Sequence, residues 1–403
     1  MHTIALLENP VRAYAWGSRT AIARFVGEPT PSPGPEAELW MGAHPSGSSH
    51  LLVDGRRVAL ADLVSRAPEA ILGRPVVERF GPRLPFLVKL LAAEAPLSIQ
   101  AHPSEAQARL GFAREQALGI PLDDARRSYR DASHKPELLR ALEPTEVLRG
   151  FRPPDEILGL ADRLGARGLR DFVASALGRA SPLAELFASW LRLEPVRRRG
   201  LVAEAAEAAA GSGDRTLAWI ARLHGLHPGD PGVLAPLLLN HLHLAPGEAI
   251  FLAPGELHSY LGGFGVEVMA SSDNVLRGGL TTKYVDVEEL LRVLCFEPAS
   301  AQLLRADPSA AGETVYRTPA SEFELSVLRI RSDRGFAVGA ERGVEILLCT
   351  RGSVRVEARG GSVALSRGRS CLAPAAAGAY AVEGDGEIHR VRVPCGSDPS
   401  GAR

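Results

Sequence analysis

Three short segments of this chain carry side chains whose types and spacing suit a metal ion and a proton in motion. In Pro96-Leu-Ser-Ile-Gln-Ala-His-Pro103, the residues Ser98, Gln100 and His102 fall two apart. On a strand they share one face, and a Gln and a His so placed can both ligate one metal. Tyr129-Arg-Asp-Ala-Ser-His-Lys-Pro-Glu137 packs an imidazole, an ammonium and a carboxylate into four residues, His134 to Glu137. Pro136 suggests an irregular segment that feeds a helix and aims His134 and Lys135 by main-chain geometry. In Pro254-Gly-Glu-Leu-His-Ser-Tyr260, His258 and Tyr260 again share a strand face, and Glu267 follows. Asp273, Arg277 and Lys283 then sit in a glycine-containing stretch, where an Arg and a Lys together suit a phosphate or a developing oxyanion. Singly, each segment also reads as plain structure: a polar sheet edge, a solvated loop, or an acid in a first helical turn.

The lysines narrow the choice. Of 46 basic residues only Lys89, Lys135 and Lys283 are lysine, the rest being arginine. Such a bias carries no structural meaning by itself. A chain this rich in arginine nevertheless keeps lysine where a compact, tunable ammonium cannot become a planar guanidinium. Two of the three lie inside the segments above.

The elements that must position these residues follow from composition and pattern. At 403 residues two or three domains are expected. A net charge of −1 and a hydrophobic fraction of 45% describe an ordinary soluble protein, with neither nucleic acid nor a membrane surface as its main partner. The opening MHTIALLENPVRAYAW does not read as a secretory signal, and no apolar run reaches the roughly 20 residues of a membrane span. Cys295, Cys349, Cys371 and Cys395 lack CxxC spacing, and reduced thiols in the cytoplasm are expected.

Along the first 150 residues, apolar runs at Leu84–Leu91 and Leu97–His102 bounded by proline read as buried strands. A helix beginning at Pro103 is expected to bury Ala106, Leu110, Ala113 and Ala117. Residues 151–236 are rich in Ala, Leu, Glu and Arg, and read as a helical insertion closed by HPGDPG at 227–232. Strands return at 249–253 and 265–270, followed by a helix capped by Asp286 with a Val287, Leu290, Leu291 and Leu294 stripe. From about 320, alternating strands and glycine turns suggest a β-sandwich or jelly roll. Gly247 to Pro254 to His258 is echoed by Gly368 to Pro374 to Gly378, with glycine where the histidine would be. Only the first of the two can then carry a metal.

The strings LSIQAHPSEAQA, YRDASHKPELL, PGELHSYLGG and SSDNVLRGGLTTKYVDVEELL closely resemble the type I mannose-6-phosphate isomerases, of the cupin superfamily. So do AYAWGS, AELWMGAHPSGSS and LPFLVKLL, and all three lysines fall within these motifs. The resemblance covers 1–150 and 237–296 strongly, and the remainder by architecture. It implies a mainly β protein with a helical insertion: a cupin-like domain of 1–150 with 237–300, a helical domain of 151–236, and a metal-free jelly roll of 301–395. It implies one zinc ion held by Gln100, His102, Glu137 and His258, with Arg277 as the catalytic arginine. Asp273, His134, Lys135, Lys89, Ser98, Tyr260, Glu267 and Lys283 match the family's pocket positions. Ser133 stands where the family usually has Asn, and Gly278 and Thr282 where it more often has Ala and Pro; none of these removes a ligand or a charge.

The implied reaction moves a proton between C1 and C2 of mannose 6-phosphate and fructose 6-phosphate through a cis-enediolate. It needs a base, and positive charge where the oxyanion develops. Arg277 and zinc would supply the charge; His134 with Lys135, or Asp273 through a water, are the candidate bases, and Lys89 and Ser98 would contact phosphate or sugar. Two rivals share the fold: a non-catalytic metal-containing sugar-phosphate sensor, and an iron cupin oxygenase. Retention of Arg277, Lys135 and the four ligands weighs against the first, and the Gln ligand and basic cluster against the second. Oligomeric state is not set by the sequence, a monomer being slightly favoured.

Overall fold

A computed structural model describes residues 3–53, 55–308 and 312–394. Cys395, and with it the end of the expected C-terminal domain, lies outside the described residues. Two antiparallel sheets dominate. In the first, neighbouring strands run in the order Leu239–Leu244, Thr145–Phe151, His258–Ala270, Phe86–Ala93, Glu38–Met41 and Val11–Arg12. Glu137–Ala141 and Ile99–Ala101 both pair with His258–Ala270, and Leu276–Gly279 pairs with Ile99–Ala101. The second sheet runs from Ser370–Ala373 through Glu345–Ala358 and Tyr380–Arg392 to Glu324–Ile330 and Glu313–Tyr316, and its edge at Ser370–Ala373 is closed by Ala5–Leu6 from the start of the chain.

One hydrophobic core joins the two sheets. Val88, Leu138 and Val266 of the first pack in the same cluster as Leu325, Ile346 and Val391 of the second. Arg140, buried on the Glu137–Ala141 strand, also crosses the boundary: Nη1 bonds His389 Nε2 at 2.8 Å and Nε donates to the Tyr316 hydroxyl at 2.9 Å.

Helices run from Pro154–Leu164 to Ala235–Leu238, several started by proline in the first turn or by an aspartate such as Asp214, which accepts from Thr216 N at 2.9 Å. Their apolar faces share a core with Ile99, Ala101 and Leu257. The helical block therefore backs the Ile99–Ala101 strand, which carries Gln100 and leads directly into His102. Its closing turn also reaches forward: Asp230 Oδ1 accepts from Leu280 N at 2.8 Å and from Gly232 N at 2.7 Å. Leu280, at φ 53°, is the one non-glycine residue with positive φ among those described. A carboxylate thus grips the strained backbone between Arg277 and Lys283.

Two local expectations are corrected. Pro136 does not feed a helix; Glu137–Ala141 is a fully buried strand, because both of its edges are taken up by partner strands. The helix after Pro103 spans Glu105–Ala117 with a Ser104–Gln107 capping box, but buries Ala108, Gly111 and Glu115. Leu110 is 74% exposed. The buried face is small and polar because it holds a loop: a Cβ on Gly111 would lie 2.3 Å from the Tyr129 ring, and Glu115 accepts the Ser128 and Tyr129 amides at 3.1 and 2.9 Å. The Asp286-capped helix does form, over Val287–Val293, and its stripe packs into the core beside the buried Glu289.

Candidate active site

The long strand His258–Ala270 organises the centre. His258 faces Gln100 across the ladder, and Gln100 in turn faces Arg277, so three strands place these side chains in one row. Further along, Glu267 faces Lys89, which faces Trp40. His258 and Tyr260 differ in parity from Glu267, and an unbroken strand would put them on opposite faces. The ladder against Thr145–Phe151 steps from Glu146–Gly262 to Val147–Tyr260, leaving Leu261 unmatched. This bulge restores Glu267 to the His258 side. Gly263, at φ 130°, completes the bend, and a Cβ there would lie 2.4 Å from Thr145 Oγ1.

His102, Glu137 and His258 converge, with ligand atoms within 4.8 Å of one another, all buried. His102 Nδ1–H donates to the Asn274 carbonyl at 2.8 Å, and His258 Nδ1–H to the Glu256 carbonyl at 2.9 Å. Both rings therefore present the Nε2 lone pair to Glu137, at 3.3 and 3.5 Å from its oxygens. His102 Nε2 is buried and makes no hydrogen bond. Burial and the Lys135 ammonium push this imidazole down to about 4, so it stays neutral. Burial alone would raise the Glu137 carboxyl, but the Lys135 ammonium outweighs it and holds it well below the usual range. Two neutral imidazoles, one carboxylate and an orphaned nitrogen fit a borderline divalent cation. Gln100 Nε2 donates to Ser98 Oγ at 3.2 Å, which leaves the amide oxygen as its free end.

Charged groups surround this centre. Lys135 Nζ lies 2.7 Å from Glu137 Oε1. Lys89 is buried between Glu267 at 2.9 Å and Glu38 at 3.2 Å, and lies 5.4 Å from the Trp40 ring centroid. Burial works against the Lys89 charge, yet the two carboxylates raise its pKa above the ordinary value. Burial raises Glu267, with Lys89 opposing. The Tyr260 hydroxyl is buried without a hydrogen-bond partner, and burial and the Glu267 carboxylate push it well up. Asp273 is exposed and lies 3.4 Å from the buried His44; burial would raise its carboxyl, but the imidazole holds it below the ordinary value. Arg277 and Lys283 are lowered by burial and by neighbouring cations, Arg130 acting on both. Among the described residues Arg277 has no carboxylate partner, which leaves a cluster of positive charge uncompensated.

His134 is not brought into the centre. Its Nε2 bonds Glu322 at 2.7 Å, and the pair lines a separate cavity of about 290 Å³ with Arg79, Arg83, Glu105 and Arg109. Conversely, Glu38, Trp40, His44, Arg130 and Asn274 are at the site although only their motifs stood out in the sequence. One signal was available for Glu38: a lysine inside an otherwise apolar strand requires carboxylates on the neighbouring strands.

An antiparallel β framework with a buried His–Glu–His group beside unpaired cations defines a metal-dependent enzyme acting on an anion. Residues 4–154 match the phosphomannose isomerase type I catalytic domain. The mannose-6-phosphate isomerase of Escherichia coli (strain K12) is 40% identical over 392 residues, covering 96% of this chain and 98% of that protein. The human mannose-6-phosphate isomerase is 34% identical over 381 residues, covering 86% and 87%. The crystal structure of mannose 6-phosphate isomerase from Salmonella typhimurium, bound to its substrate and to zinc, matches with a TM-score of 0.90 at 37% identity, over 97% of this chain and 100% of that one. The chain belongs to the type I phosphomannose isomerase family.

Proposed function

We propose that this chain interconverts D-mannose 6-phosphate and D-fructose 6-phosphate, with one zinc ion held by Gln100, His102, Glu137 and His258. The observation that carries this reading is the pair of imidazoles locked by main-chain carbonyls around Glu137, next to the uncompensated Arg130, Arg277 and Lys283. When bound, zinc polarises the sugar carbonyl and its neighbouring hydroxyl. Arg277 stabilises the negative charge that develops on the enediolate oxygens, which is stronger in the transition state than in the neutral sugar. Arg130 and Lys283 take the phosphate. Lys89, already ion-paired with Glu38 and Glu267, instead keeps that wall rigid beside Tyr260. Lys135 and Asp273 are the groups we assign to proton transfer, Lys135 from beside Glu137 and Asp273 through a water. His134 supports the loop through Glu322.

The finer architecture we propose is two cupin-like jelly rolls, 1–150 with 237–300 and 301–395, with 151–236 inserted between halves of the first. The free thiols Cys349 and Cys371, buried in the second sheet, suit the reducing cytoplasm. A coupled assay with mannose 6-phosphate tests the activity. Turnover should vanish with a chelator and return with zinc; turnover indifferent to metal removal would refute the assignment.

A further inference from the structure

Asn274 is fully buried and is used at every polar atom. Its carbonyl accepts the His102 Nδ1–H at 2.8 Å. Its side-chain oxygen accepts the Arg130 amide at 2.7 Å and the Asp131 amide at 3.2 Å. Its side-chain nitrogen donates to the Asp131 carbonyl at 2.8 Å and the Ser133 carbonyl at 2.9 Å. Every one of these bonds joins segments more than a hundred residues apart in the chain. The Asp131 carboxylate returns the grip: it accepts from Ser133 N, Ser272 Oγ and Asp273 N, each at 2.9 Å.

We propose that Asn274 is a positioning residue that ties the metal-binding tautomer of His102 to the placement of Arg130 and Lys135. The clasped stretch begins at Arg130, in the cation cluster, and leads into Lys135, on Glu137. The same residue fixes which nitrogen of His102 faces the metal. Only a carboxamide of this length meets the demand: two acceptor bonds on one atom and two donor bonds on the other. Aspartate keeps the size but cannot donate, and would set a second carboxylate against Asp131. Leucine would leave the Arg130 and Asp131 amides and the Asp131 carbonyl without this partner, and the Ser133 carbonyl with only the Ser272 hydroxyl. A fully satisfied buried network of this kind holds a single arrangement. Metal retention and phosphate recognition are therefore linked through one residue, its carbonyl on His102 and its side chain on the loop. The link to metal and substrate rests on the proposed function; the fixing of the loop does not.

Asn274→Ala and the near-isosteric Asn274→Asp are compared with Asn240→Ala. Asn240 is also buried, with its amide on the carbonyls of Gly150, Phe151 and Ala299, outside the site. In the metal-free protein, hydrogen exchange over residues 130–135 should rise in both Asn274 variants and not in Asn240→Ala. In zinc-loaded protein, release to a chromophoric chelator should quicken, and KM for mannose 6-phosphate should rise roughly 10- to 100-fold, the usual cost of losing a group that orients a metal ligand. Asn240→Ala should lower the melting temperature and leave all three readouts at wild type. Asn274 variants that merely melt earlier, with exchange, zinc release and KM unchanged, would overturn the proposal. So would equal shifts in the Asn240 variant. A wild-type protein without isomerase activity would remove the proposed function, while the exchange comparison would still decide whether Asn274 holds the loop.

Discussion

The Lys135 ammonium stands 2.7 Å from Glu137 Oε1, on the same carboxylate that both imidazoles face. A proton-bearing group is thereby held against the metal centre without being a ligand of it. Lys135→Gln should lower kcat by about 10²–10⁴-fold, the range for a positioned acid–base group, and leave zinc content near wild type. Lys135→Arg should not rescue it, because a planar guanidinium cannot replace a compact ammonium there. Steady-state kinetics with metal analysis decides: near-normal kcat in Lys135→Gln would reduce Lys135 to a counter-charge for Glu137.

Metal retention should depend on His258 more than on Gln100. Wild-type protein should carry about one zinc per chain, the number one four-ligand site allows. His258→Ala should lose the metal and all turnover, while Gln100→Ala, which removes only a neutral oxygen, should retain a measurable fraction. Elemental analysis after dialysis reads both, and full zinc in His258→Ala would displace the centre from where we put it.

Arg277 carries charge without a carboxylate to cancel it. Arg277→Ala should cut kcat by roughly 10²–10³-fold, with a smaller effect on KM. Its zinc content and melting temperature should match wild type. Proton–deuterium exchange at C2 of mannose 6-phosphate should fall in parallel; exchange at the wild-type rate would take Arg277 out of the chemistry.

The His134–Glu322 pair gives stability a pH dependence. Burial lowers His134, but the Glu322 hydrogen bond outweighs it and the imidazole ends above its ordinary 6.5. Its contribution is complete below 6.5 and is lost as pH rises through the higher folded value. Burial raises Glu322, but the His134 hydrogen bond outweighs it, so this carboxyl ends below its ordinary 4.5; its contribution is complete above that and is lost as pH falls through the lowered value. The two overlap most fully between 4.5 and 6.5. Glu322→Gln should therefore cost about 1 kcal/mol near the middle of that window and little in alkaline solution. Denaturant melts at the two pH values measure it; an equal loss at both would mean the pair is not ionic.

His102, Glu137 and His258 were legible because each lies in a long motif whose chemistry is fixed by residue type. The helical run of 151–236 was legible from composition, since alanine- and leucine-rich stretches without β-branched residues have few other options. What the chain did not disclose was set by partners distant in sequence. Pro136 reads as a helix start by local rule, and only the strands on either side of Glu137–Ala141 make it a strand. Leu110 looks like a core residue by periodicity, but the helix face is occupied by Tyr129 and the backbone it presents. Period-two counting sends Glu267 to the wrong side, because one unmatched residue at 261 is invisible without the opposing strand. His134 sits beside Lys135 in the motif, yet adjacent residues on an extended segment point apart, and Glu322 claims the ring.

The strand Ala5–Leu6 closes the edge of a sheet made almost wholly from the end of the chain, and Asn9 reaches Ser370 Oγ across 361 positions. During synthesis Ala5–Leu6 must therefore wait for Ser370–Ala373 before their hydrogen bonds can form. The helical block, whose contacts are mostly local, can mature meanwhile. Synthesis of Ser370–Ala373 and closure of this sheet edge thus coincide. A polypeptide that lacks Ser370–Ala373 would expose an open sheet edge to chaperones and proteases, so quality control can recognise the absence of that strand at a point remote from the metal centre.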